Sequence, residues 1–347
     1  MTLDGELNKK AIDMQKQHPF SKFIAILARG KTKQRHLTLD EAEEAMAMLV
    51  GGEAEPEQLG AFLMLQRLME ETSEEIAGFT LGSRKAMQFP ADMPQVDIDW
   101  SSYAGKKRQL PWFILSALIL ARSGHKVFMH GTEGHTPGRV YTRECLGALG
   151  IPVAESYQAA ADQIRASNFA YMPLEVISQP LRDMINLRPV LGLRSPVHSF
   201  TRMLNPFKAP VMLNGIFHRG FMDIHAGAAV ILGQPHMCVF RGEGGEPERR
   251  PGKTCEVWSV HDGEISEERW PAILDDPRQA PDENMNIDDL AAIWHGSQQN
   301  EYAEAAVCGT LAIALATMQL ADSIEQAEAM ARKMWDERDK AVVPAAA

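Results

Sequence analysis

Residues 101–108 read SSYAGKKR, with one glycine, Gly105, followed by three cations, Lys106, Lys107 and Arg108. A glycine lets backbone N–H groups approach an anion with no Cβ in the way, and neighbouring cations neutralise it. The stretch therefore suits phosphate, as a compact group in a cleft or as a run along a polyanion. ARGKTKQRH adds Arg29, Lys31, Lys33 and Arg35; Arg202 and Lys208 flank MLNPF, and Arg249, Arg250 and Lys253 follow a glutamate-rich turn. Gathered on one face, such clusters would track a phosphate backbone with little sequence discrimination and steep salt dependence. Trp100, Tyr103 and Trp112 flank the cationic triplet. Tyr103 is the candidate for stacking on an unpaired base, and Trp112 belongs in a core.

The other reactive residue types give weaker signals. His130 and His135 sit beside glycine turns in MHGTEGHTPGR, where a structural hydrogen-bonder is the expectation. His218 and His225 are seven apart with no third ligand evident, which argues against zinc. Cys145, Cys238, Cys255 and Cys308 form no C-x-x-C pair and read as reduced, buried thiols. RGEGGEPERR has glycines but no helix start after them, so it is not a dinucleotide fingerprint. A net charge of −11 excludes a globally basic nucleic-acid binder while leaving room for a local patch.

The 347 residues suffice for two domains with large cores. LPWFILSALILARSGHKVFMHG, the most apolar stretch, is cut by Arg122 and is too short to span a bilayer. The N-terminus lacks a signal-peptide core, so a cytoplasmic protein with no membrane partner is expected. Residues 1–89 read as a small helical domain: HPFSKFIAILAR has helical spacing, Thr38/Glu41 and Thr72/Glu75 stand in capping-box register, and Pro56 opens a helix. Beyond a proline-bearing linker, HKVFMHG, PHMCVFRGEGG and TCEVWSVHDGEIS read as strands, the last with a D-G turn. RECLGALGIPV reads as a helix entering a strand. Residues 96–178 and 205–340 then form a larger α/β domain, and the helical stretch about 179–204 completes the small one. Ser323 and Gln326 suggest a further capping box, and the VVPAAA tail a frayed end.

The order of these segments resembles anthranilate phosphoribosyltransferase, a glycosyl transferase family 3 fold. LTLDEAEEAMAMLVGGEAEPEQLGAFLMLQRLMEETSEEIAGF looks like its N-terminal helical domain, NLRPVLGLRSPVHSFTRMLNP like its central segment, and DGEI at 262–265 has its counterpart. The resemblance runs from about residue 37 to past 322 and implies an α/β fold: a small helical domain plus a larger α/β domain of nucleoside phosphorylase and phosphoribosyltransferase type. That family grips pyrophosphate with a G-T-G-G-D loop, which falls here on 101–105, SSYAG. Ser101, Tyr103 and Gly105 are thus a vestigial phosphate site, with the Tyr103 side chain expected to fill the space. The family's K-H-G-N is here MHGT, keeping His130 and Gly131. Its acidic D-E pair aligns with Pro247 and Glu248, so magnesium is implied only through Glu248, with Glu243 and Glu246 nearby. Arg188 matches the arginine the family uses for its aromatic acid.

The chain most resembles the divergent YbiB-like branch, which implies a retained fold, no tryptophan-biosynthetic activity, and nucleic-acid binding by a homodimer. GAFLMLQRLM is the interface candidate. The expected phosphate contacts are Lys106, Lys107, Arg108, Lys31, Lys33, Arg202 and Lys208. The alternative is a phosphoribosyl or glycosyl transferase with an unidentified acceptor and a phosphoribosyl pyrophosphate-like ligand. In it Arg188 and His130 hold the acceptor side, Lys107 and Arg108 replace the lost loop, and Glu248 holds magnesium.

Overall fold

A computed structural model of the chain describes residues 17–341 apart from 88, 91, 278–280 and 283, so the polar N-terminal stretch and the tail expected to fray lie outside the described residues. Helices α1 (Ser21–Ala28), α2 (Leu39–Val50), α3 (Pro56–Met69) and α4 (Ser73–Lys85) build the small domain. Their starts follow from the sequence. Thr38 and Glu41 form a reciprocal capping box, Thr72 and Glu75 another, and Pro56 stands at the first position of α3. Glu75 also ties the domain together. Its buried carboxylate accepts the Leu37 N–H at 2.9 Å, Gln66 Nε2 at 2.9 Å and the Thr72 N–H at 3.0 Å. Helices α2 and α4 approach closely because Gly78 and Gly82 carry no side chain. A Cβ on Gly82 would sit 2.3 Å from Glu43 O, and one on Gly78 2.5 Å from Leu39 O.

The larger domain is a seven-stranded sheet ordered β3-β2-β1-β4-β5-β6-β7. Its strands are β1 (Ile98–Ser102), β2 (Val127–Gly131), β3 (Phe169–Pro173), β4 (Val211–Ile216), β5 (His236–Arg241), β6 (Cys255–His261) and β7 (Glu264–Trp270). The first five in this order pair in parallel, and β6 and β7 form an antiparallel hairpin. Asp262 and Gly263 both turn it in the left-handed region (φ 49° and 87°), as the D-G signal requires. Strands β1, β3 and β4 are buried along their whole length, so they lack the alternation that marks a half-exposed strand. After the helix Thr142–Ala148, residues 151–153 are irregular rather than a strand.

Helix α5 (Phe113–Arg122) packs in the core on one face of the sheet. Residues 179–203 form a string of short helices, including α6 (Gln179–Asn186) and α7 (Val197–Phe200), that reach back onto the small domain. Arg84 of α4 donates to Met203 O and Leu204 O, both at 2.9 Å, and Phe79 meets Phe200 at 5.6 Å between ring centroids. One hydrophobic core therefore runs from the helical domain onto the sheet. At the last helix, Ser323 accepts the Gln326 N–H, but Gln326 Oε1 accepts from Asp322 rather than from Ser323, so only half of the expected box forms. No helix among the described residues is long and apolar enough to cross a membrane.

Gly82→Ala is expected to lower stability by about 1–3 kcal/mol, because its methyl must push α2 away. Gly60→Ala is the control: its Cβ would meet nothing within 4 Å, and the helical interior favours alanine. Denaturant melts of both variants check this; equal midpoints would show that the α2–α4 approach does not depend on the glycine.

Candidate anion-binding site

In a parallel sheet, ligands bind beyond the carboxyl ends of strands where the strand order reverses. Here that point is β1, with β2 on one side and β4 on the other. Strand β1 runs into Tyr103, Ala104 and Gly105. Next to it, β2 ends at His130 and Gly131, paired with Ser101 and Ser102. Strand β5 leads into the turn 242–248.

A buried polar chain anchors the end of β1. Asp99 Oδ1 lies 3.1 Å from His130 Nε2, and His130 Nδ1 lies 2.7 Å from Tyr103 Oη. With Asp99 ionised, Nε2 carries the proton and Nδ1 accepts from the tyrosine. Burial and the Asp99 charge hold the Tyr103 hydroxyl well above its ordinary pKa, so it stays a donor. Ser101 Oγ bonds the Asn214 side-chain amide at 2.7 Å and Ser102 Oγ meets Thr142 Oγ1 at 2.7 Å. These are scaffold bonds made within the chain.

Two glutamates from the turn after β5 complete the loop. Glu246 Oε1 accepts the N–H of Ala104 at 2.8 Å and the N–H of Gly105 in a shorter bond. Gly105 has φ +69°, and a Cβ there would sit 2.6 Å from the Tyr141 ring, so only glycine fits. Glu248 is fully buried, with Oε1 2.5 Å from Lys106 Nζ and Oε2 accepting the Phe113 N–H at 3.0 Å, at the start of α5. Burial raises its pKa while the Lys106 charge and bonds oppose the rise. Arg139 Nη1 braces the same loop, donating to Ala104 O at 2.7 Å and Gly105 O at 3.1 Å.

Beside this loop a cleft of about 140 Å³ opens between the domains. The small domain contributes Arg67 and Glu71, the helical stretch 179–203 that packs on it contributes Arg194, His198 and Arg202, and the larger domain contributes His225. Burial, joined by the charges of the nearby Arg139, Arg188 and Arg202, lowers the Arg194 pKa to about 10. Arg202 is likewise lowered by burial. His225 is lowered to about 4 and His198 well below its ordinary value, both by burial first, so both are neutral at pH 7. His198 Nε2 and Ser195 Oγ are buried without a partner. Glu71 is pushed up to about 7 by burial, with Arg67 opposing.

The geometry corrects several expectations. Lys106 is not a surface phosphate contact: it is fully buried and committed to Glu248. Arg202 is buried too, donating to Gly245 O at 3.3 Å and standing 6.0 Å from the centre of the Tyr103 ring. Tyr103 is buried and bonded to His130, so it is no platform for an unpaired base, and Glu246 rather than Tyr103 fills the loop. Glu248 does not fit magnesium, since both its oxygens are spent on Lys106 and Phe113, and no group of three or more metal-binding side chains stands among the described residues. His130 does not reach an acceptor; it is fully buried between Asp99 and Tyr103. Arg188 Nη1 donates to His135 O at 2.6 Å and Thr136 Oγ1 at 2.5 Å, holding the loop after β2. Arg249 is a buried strut to Glu328, and Arg250 pairs with Glu243. Lys31, Lys33, Lys107, Arg108 and Lys208 are exposed. Gly131 is required where it stands, because a Cβ would sit 1.9 Å from Ser102 O. Sequence reasoning met Arg194 only as the arginine of the L-G-x-R step at 191–194 and did not single out His198 or Glu71, which no motif spacing marks because segments far apart in the chain bring them together.

Two family profiles match the chain. A glycosyl transferase family helical bundle domain covers residues 21–87, and a glycosyl transferase family α/β domain covers 114–337. Among curated relatives, the anthranilate phosphoribosyltransferase of Beijerinckia indica is 30% identical over 247 residues, 71% of this chain and 70% of that one. That of Brevibacillus brevis is 29% identical over 67% of this chain and 68% of its own. Among solved structures, anthranilate phosphoribosyltransferase from Thermus thermophilus superposes with a TM-score of 0.72 at 22% identity, over 92% of this chain and 94% of that one. The Saccharomyces cerevisiae enzyme in complex with PRPP and Mg has a TM-score of 0.72 at 13% identity, over 91% and 93%.

Lys106→Met is expected to cost about 3–5 kcal/mol, because it leaves Glu248 as an uncompensated buried charge. Adding Glu248→Gln should recover much of that loss. Equilibrium denaturation of the two singles and the double checks this; additive losses would show that the two groups do not act as a pair.

Proposed function

The chain belongs to the glycosyl transferase family, and from that premise we propose that it is a phosphoribosyl or glycosyl transferase that takes a phosphate-bearing small molecule into the arginine cleft, with an acceptor other than anthranilate. One observation carries this reading. Arg194 and Arg202 are desolvated in the cleft, and burial first, with the charges of Arg139, Arg188 and Arg202 after it, lowers the Arg194 pKa to about 10. Such a cluster is favourable once an anion neutralises it, and the forked guanidinium donors suit phosphate.

The volume sets a limit on what enters. About 140 Å³ is below the ~300 Å³ at which drug-sized pockets begin, so the cleft as it stands admits one compact anionic group. A whole sugar pyrophosphate requires the small domain to swing away from the sheet. The departure from anthranilate is supported by Arg188, whose guanidinium holds the loop after β2 instead of lying open to an aromatic acid.

A second reading is favoured by the occupied loop. With the Ala104 and Gly105 N–H groups taken by Glu246, the scaffold is poorly equipped to receive a pyrophosphate leaving group. The exposed Lys107, Arg108, Lys208, Lys31 and Lys33 would then contact a nucleic-acid backbone, in a homodimer that repeats them.

Calorimetry with phosphoribosyl pyrophosphate tests the first reading, and a labelled oligonucleotide across a salt series tests the second. The transferase reading predicts small-molecule binding that weakens at least tenfold in Arg194→Ala, the scale of one charge-assisted contact. Glu71 faces the cleft with Arg67, Arg194 and Arg202, and Glu70 and Glu75 also raise its pKa. It gains a proton as pH falls through about 7, removing a negative charge, so affinity should rise severalfold from pH 8 to pH 6 and Glu71→Gln should abolish that rise. Steep salt-dependent oligonucleotide binding with no phosphoribosyl pyrophosphate signal would overturn this reading in favour of the second.

A further inference from the structure

We infer that Glu246 is an intramolecular plug: its carboxylate occupies an oxyanion seat made by the Ala104 and Gly105 N–H groups, and a phosphate or pyrophosphate enters that seat only by displacing it. This rests on the reading of the neighbouring cleft as an anion site. Consecutive backbone N–H groups converging on one point form an anion-binding nest, and the φ of +69° at Gly105 gives the curvature. Both donors converge on one oxygen, Glu246 Oε1. The seat therefore already holds an anion, supplied by the chain itself.

Two further observations show that the turn is shaped to deliver it. Gly242 and Gly215 leave the turn room: a Cβ on Gly242 would sit 1.6 Å from Glu246 O, and one on Gly215 2.2 Å from Glu246 C. Arg139 Nη1 ties the loop to the turn, reaching Gly244 O at 3.4 Å as well as Ala104 O and Gly105 O. The fit is also incomplete. Glu246 Oε2 is buried with no partner, although Arg202 lies close enough to feel the Glu246 charge. A tetrahedral oxyanion has oxygens to spare for that arginine as well as for the two N–H groups, which gives it a route to compete with the carboxylate. The seat also adjoins the cleft, which Gly244 and Gly245 line.

Occlusion scales the apparent affinity down to the fraction of time the seat stands empty. Inorganic pyrophosphate is the probe, titrated by calorimetry into the full chain and into Glu246→Gln and Glu246→Ala. Gln keeps the shape and the two hydrogen bonds but loses the charge; Ala empties the seat. The expected order of affinity is wild type, then Gln, then Ala, with Ala at least tenfold tighter than wild type and its melting temperature raised more by pyrophosphate. If the alanine variant does not fold, the glutamine variant carries the test. Equal affinity in the folded variants and the wild type, or no binding by any of them, would overturn the plug and leave Glu246 a purely structural brace. The readout needs neither an acceptor nor turnover. Failure of the transferase reading would appear instead as phosphoribosyl pyrophosphate binding that is absent, or indifferent to Arg194→Ala.

Discussion

The end of β1 is held by two carboxylates reaching across from the turn after β5. Glu246 satisfies two backbone donors of the loop; Glu248 satisfies the first N–H of α5 and neutralises Lys106. Each partner would be costly alone in a buried place: a lysine without a counterion, a carboxylate without donors, a helix start without an acceptor. Together they close one network, so the loop, the turn and the start of α5 keep their positions as a unit. The arginines of the cleft then act against a fixed wall on the sheet side, while the small domain supplies the other side with Arg67 and Glu71.

That network separates fold from chemistry. Solved anthranilate phosphoribosyltransferases at 13% and 22% identity superpose over more than nine-tenths of this chain, yet likeness at that level speaks only of the fold. Glycines at 78 and 82 and the capping boxes preserve the helical domain, and the buried parallel strands preserve the sheet. Function has to be argued from the site. Here charges committed to one another, Lys106 with Glu248, lie next to arginines that repel one another, and this contrast distinguishes scaffold from ligand-facing surface.

Much of the fold was legible because its signals are local. Thr38 with Glu41, Thr72 with Glu75, Pro56 and the D-G at 262–263 each act within a few residues, and each forms as its chemistry dictates. Strands β1, β3 and β4 were not legible, since full burial removes the alternation that identifies a strand; β2, equally buried, was read from a short apolar run bounded by glycines. The site was legible only in location. Sequence placed a vestigial phosphate loop at 101–105, and in the fold those residues are the end of β1 and the turn that follows it. It could not tell that Lys106 faces inward to a glutamate 142 positions away, or that Glu246 would fill the seat expected for Tyr103. Adjacent cations read as a patch on paper. In the fold, Lys106 is buried while Lys107 and Arg108 are exposed, and only the long-range partner decides which is which.

The central claim is that the loop's donors are occupied by the chain itself, and hydrogen–deuterium exchange at Ala104 and Gly105 tests it most directly. With no anion added, both amides should exchange slowly, as protected as those of the buried strand β1, and Glu246→Ala should release them. Fast exchange in the wild type, slowed only when pyrophosphate is added, would contradict the account and show an open phosphate loop.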